Sequence, residues 1–288
     1  MPQPTIDSHH HLWDYNPSQY GWIDPATMGV LAHDYTFDDL CDAAGPCGLV
    51  GTVAVQAQQT LAETDQLLDI AQSNEQCLGV VGWAPLRDPE IGSVLERYRD
   101  TPNLKGLRHV VQDEPDGFML DPAFQHGVSL LQDAGLVYDI LIFGRQLREA
   151  IQLVDRFPQQ PFVLDHAAKP TIRADHFDQD WANQIARLAK RPNVVCKLSG
   201  LVTEVRDPTW DVQLLRPYIE LVVEAFGIDR VLFGSDWPVC LLKSSYLDWH
   251  TAVETIASGF SPPERQRFFH DNTVAAYCLD TPDAPCSA

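Results

Sequence analysis

The sequence predicts a single α/β domain, a (β/α)8 TIM barrel spanning residues 1–288. Three observations predict it. About eight short apolar, β-rich runs alternate with longer stretches of helical periodicity. Polar residues concentrate at the C-terminal ends of those runs, where a barrel builds its active site. The first run ends in "HHHLWD" rather than in the glycine-rich phosphate turn that a doubly wound open sheet, the competing arrangement, would carry.

The elements follow in order. "TIDSHHHLW" (5–13) opens the chain, and strand alternation puts Ile6, Ser8, His10 and Leu12 on one side. Asp7, His9, His11 and Trp13 fall on the other, so the second face carries Asp-x-His-x-His. The further strand runs are "GTVAVQA" (51–57), "LGVVGWAPL" (78–86), "LKGLRHVV" (104–111), "LVYDILIF" (136–143), "PFVLDHAAKP" (161–170), "NVVCKLSGLV" (193–202) and "RVLFGSDWP" (230–238). Helical stretches separate them at 63–76, 89–100, 123–135, 146–158, 181–191 and 213–227. Gly, Pro-Asn and Pro-Phe signals mark the returns from helix to strand.

Composition narrows the function. With 40 acidic against 20 basic side chains, the formal net charge is −20. Such a surface repels phosphate backbones and argues against nucleic-acid binding. No run of eighteen apolar residues is present, so no membrane span is expected. The seven cysteines are odd in number, scattered and without a CxxC pair, which suits a reducing cytoplasm better than a disulfide framework. A homo-oligomer is compatible with the sequence.

Strand ends collect His9, His11, Gln56, Trp83, Arg108, His109, Asp139, His166, Lys169, Lys197, Ser199, Asp236 and Trp237. His9, His11, His166 and Asp236 make a coherent ligand set: three imidazoles and a carboxylate suit Zn²⁺ or another borderline divalent ion such as Mn²⁺. Asp236 ends an apolar strand, and a buried carboxylate needs a metal, a water or a cation beside it. His10 is expected to pack toward the helices. Asp165, beside His166, is expected to face away if its strand is regular. Arg108 is the candidate for holding a substrate carbonyl or hydroxyl. Its neighbour His109 competes for the inward direction, since only one of the two faces in on a regular strand. Lys169 is divided between a substrate contact and a structural ion pair, as is Lys197. Of the aromatics, Trp22 and Trp237 are the candidates for stacking on a sugar face.

"IDSHHHLWD…YGWI", "GLRHVVQDEPD", "LDHAAKP", "KLSGL" and "LFGSDWP" occur in this order, followed by "FFHDNTVAAYCL". Together they resemble the amidohydrolase superfamily, in its branch of metal-dependent TIM-barrel hydrolases (amidohydrolase 2) that includes sugar lactonases. The resemblance implies hydrolysis of a carboxylic ester or amide, with Asp236 as proton shuttle. The substrate it suggests is an aldonolactone of the L-fuconolactone or L-rhamnonolactone type. Metal-rich members carry a bridging Lys or Glu on strand four and a His on strand five. Here strand four offers Arg108 and His109, and "YDILIF" offers no His, so one divalent ion at most is expected. The branch also includes lactonases that work without metal, the His pair and cationic side chains polarising the carbonyl. Non-oxidative decarboxylation of an aromatic or muconate-type acid is the rival reaction on the same scaffold.

Overall fold

A computed structural model describes residues 3–280. Eight parallel strands run in the order β1 to β8: Thr5–His10, Leu49–Val55, Cys77–Gly82, Leu104–His109, Val137–Ile140, Phe162–Leu164, Val194–Leu198 and Val231–Phe233. All eight predicted runs contain a strand, but each stops before its predicted end. The terminal residues instead curl into the loops that carry polar side chains. Backbone bonds from Asp236 N–H to the His9 carbonyl (2.8 Å) and from His11 N–H to the Trp237 carbonyl (2.7 Å) join the last strand to the first. The protein is a (β/α)8 barrel.

Helices α1 to α8 alternate with the strands: Phe37–Ala44, Leu61–Ser73, Ile91–Arg97, Pro122–Ser129, Leu147–Arg156, Gln179–Leu188, Val212–Phe226 and Tyr246–Ile256. Two short helices follow, α9 (Pro262–Gln266) and α10 (Asn272–Tyr277). Their starts are locally encoded. Thr36, Thr60, Asp178, Asp211 and Ser245 each accept a backbone N–H of the first turn, so the sequence punctuates the barrel at those five entries. None of the described helices is long and apolar enough to cross a membrane.

The barrel interior has two layers. Ile6, Val53, Val55, Val81, Val137, Val163 and Leu232 form an apolar plug, sealed from the N-terminal end by Val274, Tyr277 and Leu279. Arg108, Asp139, Asp165 and Lys197 lie above it and are all buried. Strand alternation produces this layering, because Val137 and Asp139, or Val163 and Asp165, are two residues apart and share a face.

β1 breaks that alternation. Its register to β2 runs Asp7↔Thr52 and then His10↔Ala54, three residues against two, which is a β-bulge. Ile6 therefore joins the interior plug, while Asp7 turns outward beside Tyr246 of α8 and Cys47. This corrects the expected Asp-x-His-x-His face. Asp7 Oδ1 instead accepts the backbone N–H groups of His9 (3.1 Å) and Ser235 (2.8 Å), bracing the bulge from behind.

Candidate active site

Past the bulge, His9 and His11 both point along the barrel axis. His11 Nδ1 lies 2.7 Å from the Val55 carbonyl oxygen, so it carries the proton and leaves the Nε2 lone pair facing the centre. His9 Nδ1 faces Asp165 Oδ1 at 3.3 Å, which orients that ring the same way. The two Nε2 atoms stand 3.3 Å apart. Asp236 Oδ1 completes the group, 3.3 Å from His11 Nε2, 3.7 Å from His9 Nε2 and 3.9 Å from His166 Nε2. Of the four side chains that the sequence nominated as ligands, His9, His11 and Asp236 gather around one point and His166 stands beside Asp236.

Backbone strain makes this convergence. After β6 the chain enters four successive left-handed residues, His166, Ala167, Ala168 and Lys169, with φ of 52°, 48°, 58° and 50°. Left-handed backbone is costly for residues with a Cβ, so tertiary contacts must hold it. The Trp181 indole donates to the Ala167 carbonyl at 2.7 Å, and the Ser199 hydroxyl lies 2.9 Å from His166 Nδ1. Because the turn abolishes strand alternation, Asp165 and His166 both face inward. Asp165 was expected to face away; it is instead fully buried in the barrel. Asp236 is also left-handed, at φ 58°. Gly200 at φ 65° leaves room for both side chains, since a Cβ there would stand 2.7 Å from His166 Nδ1 and 2.8 Å from Asp236 Oδ2.

Below the histidines lies a charge-balanced lattice. Lys197 Nζ meets Asp139 Oδ2 at 2.6 Å, Asp165 Oδ1 at 3.1 Å and His9 Nδ1 at 3.3 Å. Arg108 Nη1 meets Asp165 Oδ2 at 3.0 Å and His9 Nε2 at 3.2 Å, and Nη2 donates to the Gln56 carbonyl. Two cations thus face two carboxylates, which makes burial of all four tolerable. Burial pushes the Asp165 carboxyl up, but Lys197, His9 and Arg108 outweigh it and hold its pKa well below the ordinary value. Burial drives His9 well down and His166 to about 4, so both imidazoles are neutral at pH 7. For Asp236 burial acts upward, yet His166, His11 and Lys169 together leave it below the ordinary carboxylate value. It is an anion at neutral pH.

His11, Arg108, His166, Lys169 and Asp236 form the floor of a cavity of about 400 Å³, within the usual size of small-molecule pockets. Trp22 lies on its rim, 41% exposed. Lys169 Nζ has no hydrogen bond or ion pair among the described residues and sits 5.6 Å from the Phe143 ring centre.

Two nominated residues are elsewhere. His109 faces the helices, its Nε2 2.9 Å from Glu114 and its ring stacked on Phe118, so Arg108 takes the inward direction. Trp237 is 2% exposed and packs edge-on to Tyr35 at 4.9 Å. The left-handed residue before it turns the chain outward, away from the cavity. His10 lies on the helix side, 6.4 Å from the Phe37 ring. Sequence reasoning missed the amide side chains of the cavity wall, Gln19, Gln58, Gln59 and Gln112. They stand in loops past the strand ends, where alternation gives no direction.

The donor set suits one metal ion. Tetrahedral zinc with bonds of about 2.0–2.1 Å places its ligand atoms about 3.3 Å apart. His9, His11 and Asp236 present separations of 3.3, 3.3 and 3.7 Å. A second group of His9, Asp165 and His166 is also close enough. There, however, Asp165 is already paired with Arg108 and Lys197.

The family model for amidohydrolases matches residues 6–279. The chain belongs to the amidohydrolase family. The similarity extends over whole chains. An L-fucono-1,5-lactonase of Burkholderia multivorans is 40% identical over 96% of this chain and 97% of its own length. An L-fucono-1,5-lactonase of Burkholderia ambifaria is 33% identical, with 96% of each chain covered. A crystal structure of a B. multivorans amidohydrolase with bound zinc superposes with a TM-score of 0.92 at 39% identity, covering 96% of this amidohydrolase and all of that chain.

Proposed function

We propose that the protein is a lactonase that hydrolyses the ring ester of a sugar aldonolactone of the L-fucono- or L-rhamnono-lactone type. The observation that carries this reading is Asp236. It is an ionised, buried carboxylate on the floor of an open cavity, ringed by three imidazoles, with the Lys169 charge favouring its anion. The full-length similarity to two L-fucono-1,5-lactonases supports the choice of substrate.

In the proposed reaction the lactone carbonyl lies over the histidine cluster. Asp236 takes a proton from water as the water attacks the carbonyl carbon, and then returns that proton to the ring oxygen as it leaves. His166, held by Ser199, orients the carboxylate. The oxyanion is stabilised by cations at the floor. Lys169 is the freer of these, since Arg108 is engaged with Asp165, His9 and the Gln56 carbonyl. Trp22 covers the sugar from the rim. One divalent ion, zinc by the donor set, would be held by His9, His11 and Asp236 beside His166. When bound there it supplies polarisation of the carbonyl oxygen.

The test is a panel of aldonolactones assayed with a pH indicator, with and without chelator, alongside measurement of CO₂ release from aromatic acids. Acid release from a sugar lactone without gas is expected. CO₂ release from a carboxylic acid, with no lactone turned over, would overturn the proposal.

A further inference from the structure

Above the histidine floor four side-chain amides, Gln19, Gln58, Gln59 and Gln112, line the cavity wall among apolar residues such as Trp22, Val110 and Leu141. Two of these amides are in contrasting states. Gln59 is locked, because its Oε1 accepts the Val110 N–H at 2.9 Å. Its two amide hydrogens are left for whatever enters the cavity. The loop that bears it is pinned as well. The buried Glu63 carboxylate accepts the N–H groups of Ala57 at 3.0 Å and Gln58 at 2.6 Å.

Gln112 is positioned but unsatisfied. Its backbone N–H donates to the Leu141 carbonyl at 3.0 Å, and its carbonyl accepts from Arg145 at 3.2 Å. Its side-chain amide, by contrast, has no hydrogen-bond partner among the described residues, and Oε1 is buried. Oε1 is closed off from the cavity and the NH2 group is the accessible end, so Gln112 offers a ligand hydroxyl a donor. Charge narrows the ligand further. The only cations lining the cavity are Arg108 and Lys169, both at the floor, while Asp113 adds a negative charge to the wall. A wall of this kind welcomes hydroxyl groups and offers nothing to a second carboxylate.

We propose that Gln59 and Gln112 are specificity-determining residues that read the hydroxyl groups of a neutral, polyhydroxylated lactone, each through its side-chain NH2 group. The inference rests on the lactonase reading above and adds to it the residues that select the substrate. A site built to hydrogen-bond hydroxyls discriminates strongly against an analogue that lacks them.

The experiment compares kcat/KM for L-fucono-1,5-lactone with that for δ-valerolactone, which has the same ring ester and no hydroxyls. It uses the unaltered protein, Gln112→Met and Gln59→Met, with Tm measured on each preparation. The ratio of the two kcat/KM values is expected to fall roughly tenfold to a hundredfold in each Met variant, chiefly through KM for the sugar lactone. A merely structural amide lowers Tm and slows both substrates in equal proportion; that result, or an unmoved ratio, overturns the proposal and leaves the lactonase reading standing. If the unaltered protein hydrolyses neither lactone, both readings fall together.

Discussion

Arg108 aims Nη1 at the Nε2 of His9 from 3.2 Å while holding Asp165 at 3.0 Å. His9 Nε2 has one lone pair, so a metal bound there with His11 and Asp236 would take the place of this Arg108 contact. Zinc content is expected to be at most one equivalent per chain by elemental analysis of protein purified without chelator. The second ligand group already has Lys197 and Arg108 as its cations. Two equivalents would contradict this account of the lattice.

Asp236→Asn keeps the shape of the side chain and removes its capacity to carry a proton. Asn is also among the residues that best tolerate the left-handed backbone found here, so the fold is expected to survive. Turnover should drop by about 10²–10⁴-fold with Tm near the original value. The unaltered enzyme should keep its activity in mild acid and lose it only as pH approaches the depressed pKa of Asp236, where the base is protonated. A well-folded Asn variant with ordinary kcat would remove Asp236 from the mechanism.

Gly200→Ala tests how tightly the site is set. The new methyl would stand 2.7 Å from His166 Nδ1 and 2.8 Å from Asp236 Oδ2, on backbone at φ 65°. Something must shift, and the candidates are the two side chains that the reaction uses. Expected are a loss of stability of about 1–3 kcal/mol and a fall in kcat of at least tenfold. Unchanged kinetics would mean that the His166–Asp236 geometry does not matter to the reaction.

Asp7 gives a prediction with a sign in pH. Burial raises its carboxyl from 3.8 to about 6, outweighing the hydrogen bonds from Ser235, His9 and Tyr246 that favour the anion. The folded protein therefore holds this proton more tightly than the unfolded chain. That contribution favours folding below about pH 4 and is lost as pH rises through about 6. At pH 8 the wild-type chain carries a buried charge worth roughly 3 kcal/mol at most. Asp7→Asn keeps an acceptor for the His9 and Ser235 N–H groups and removes the charge. Its Tm relative to wild type should rise between pH 4 and pH 8; a difference that does not vary with pH would refute the assignment.

The eight strands were legible because each carries a compact apolar run bounded by Gly or Pro signals, and the strand-end rule then located His11, Arg108, His166, Lys169 and Asp236. What strand periodicity missed has local causes. The bulge in β1 costs one residue of register, and that single residue moves Ile6 in and Asp7 out. Four left-handed residues after Asp165 replace an alternating strand with a turn, which no pattern of apolar residues records. The pairing of Lys197 with Asp139 and Asp165 joins three strands distant in sequence, so no local window contains it. His109 and Trp237 look like site residues only if every strand-end side chain faces inward.

The apolar plug, closed from below by Val274 and Tyr277 of α10 and by Leu279 just after it, has a kinetic consequence. Tyr277 donates to Asp139 at 2.7 Å, so the stopper is fastened to the polar layer itself. With that end stoppered, lactone and the acid formed from it use the cavity mouth, past the same amides and Trp22. The hydroxy acid should therefore compete directly with its own lactone, raising the apparent KM while leaving the maximal rate untouched. The carboxylate just created leaves against no cation in the outer wall and emerges onto a chain of net charge −20, which speeds the emptying of the chamber before the next turnover.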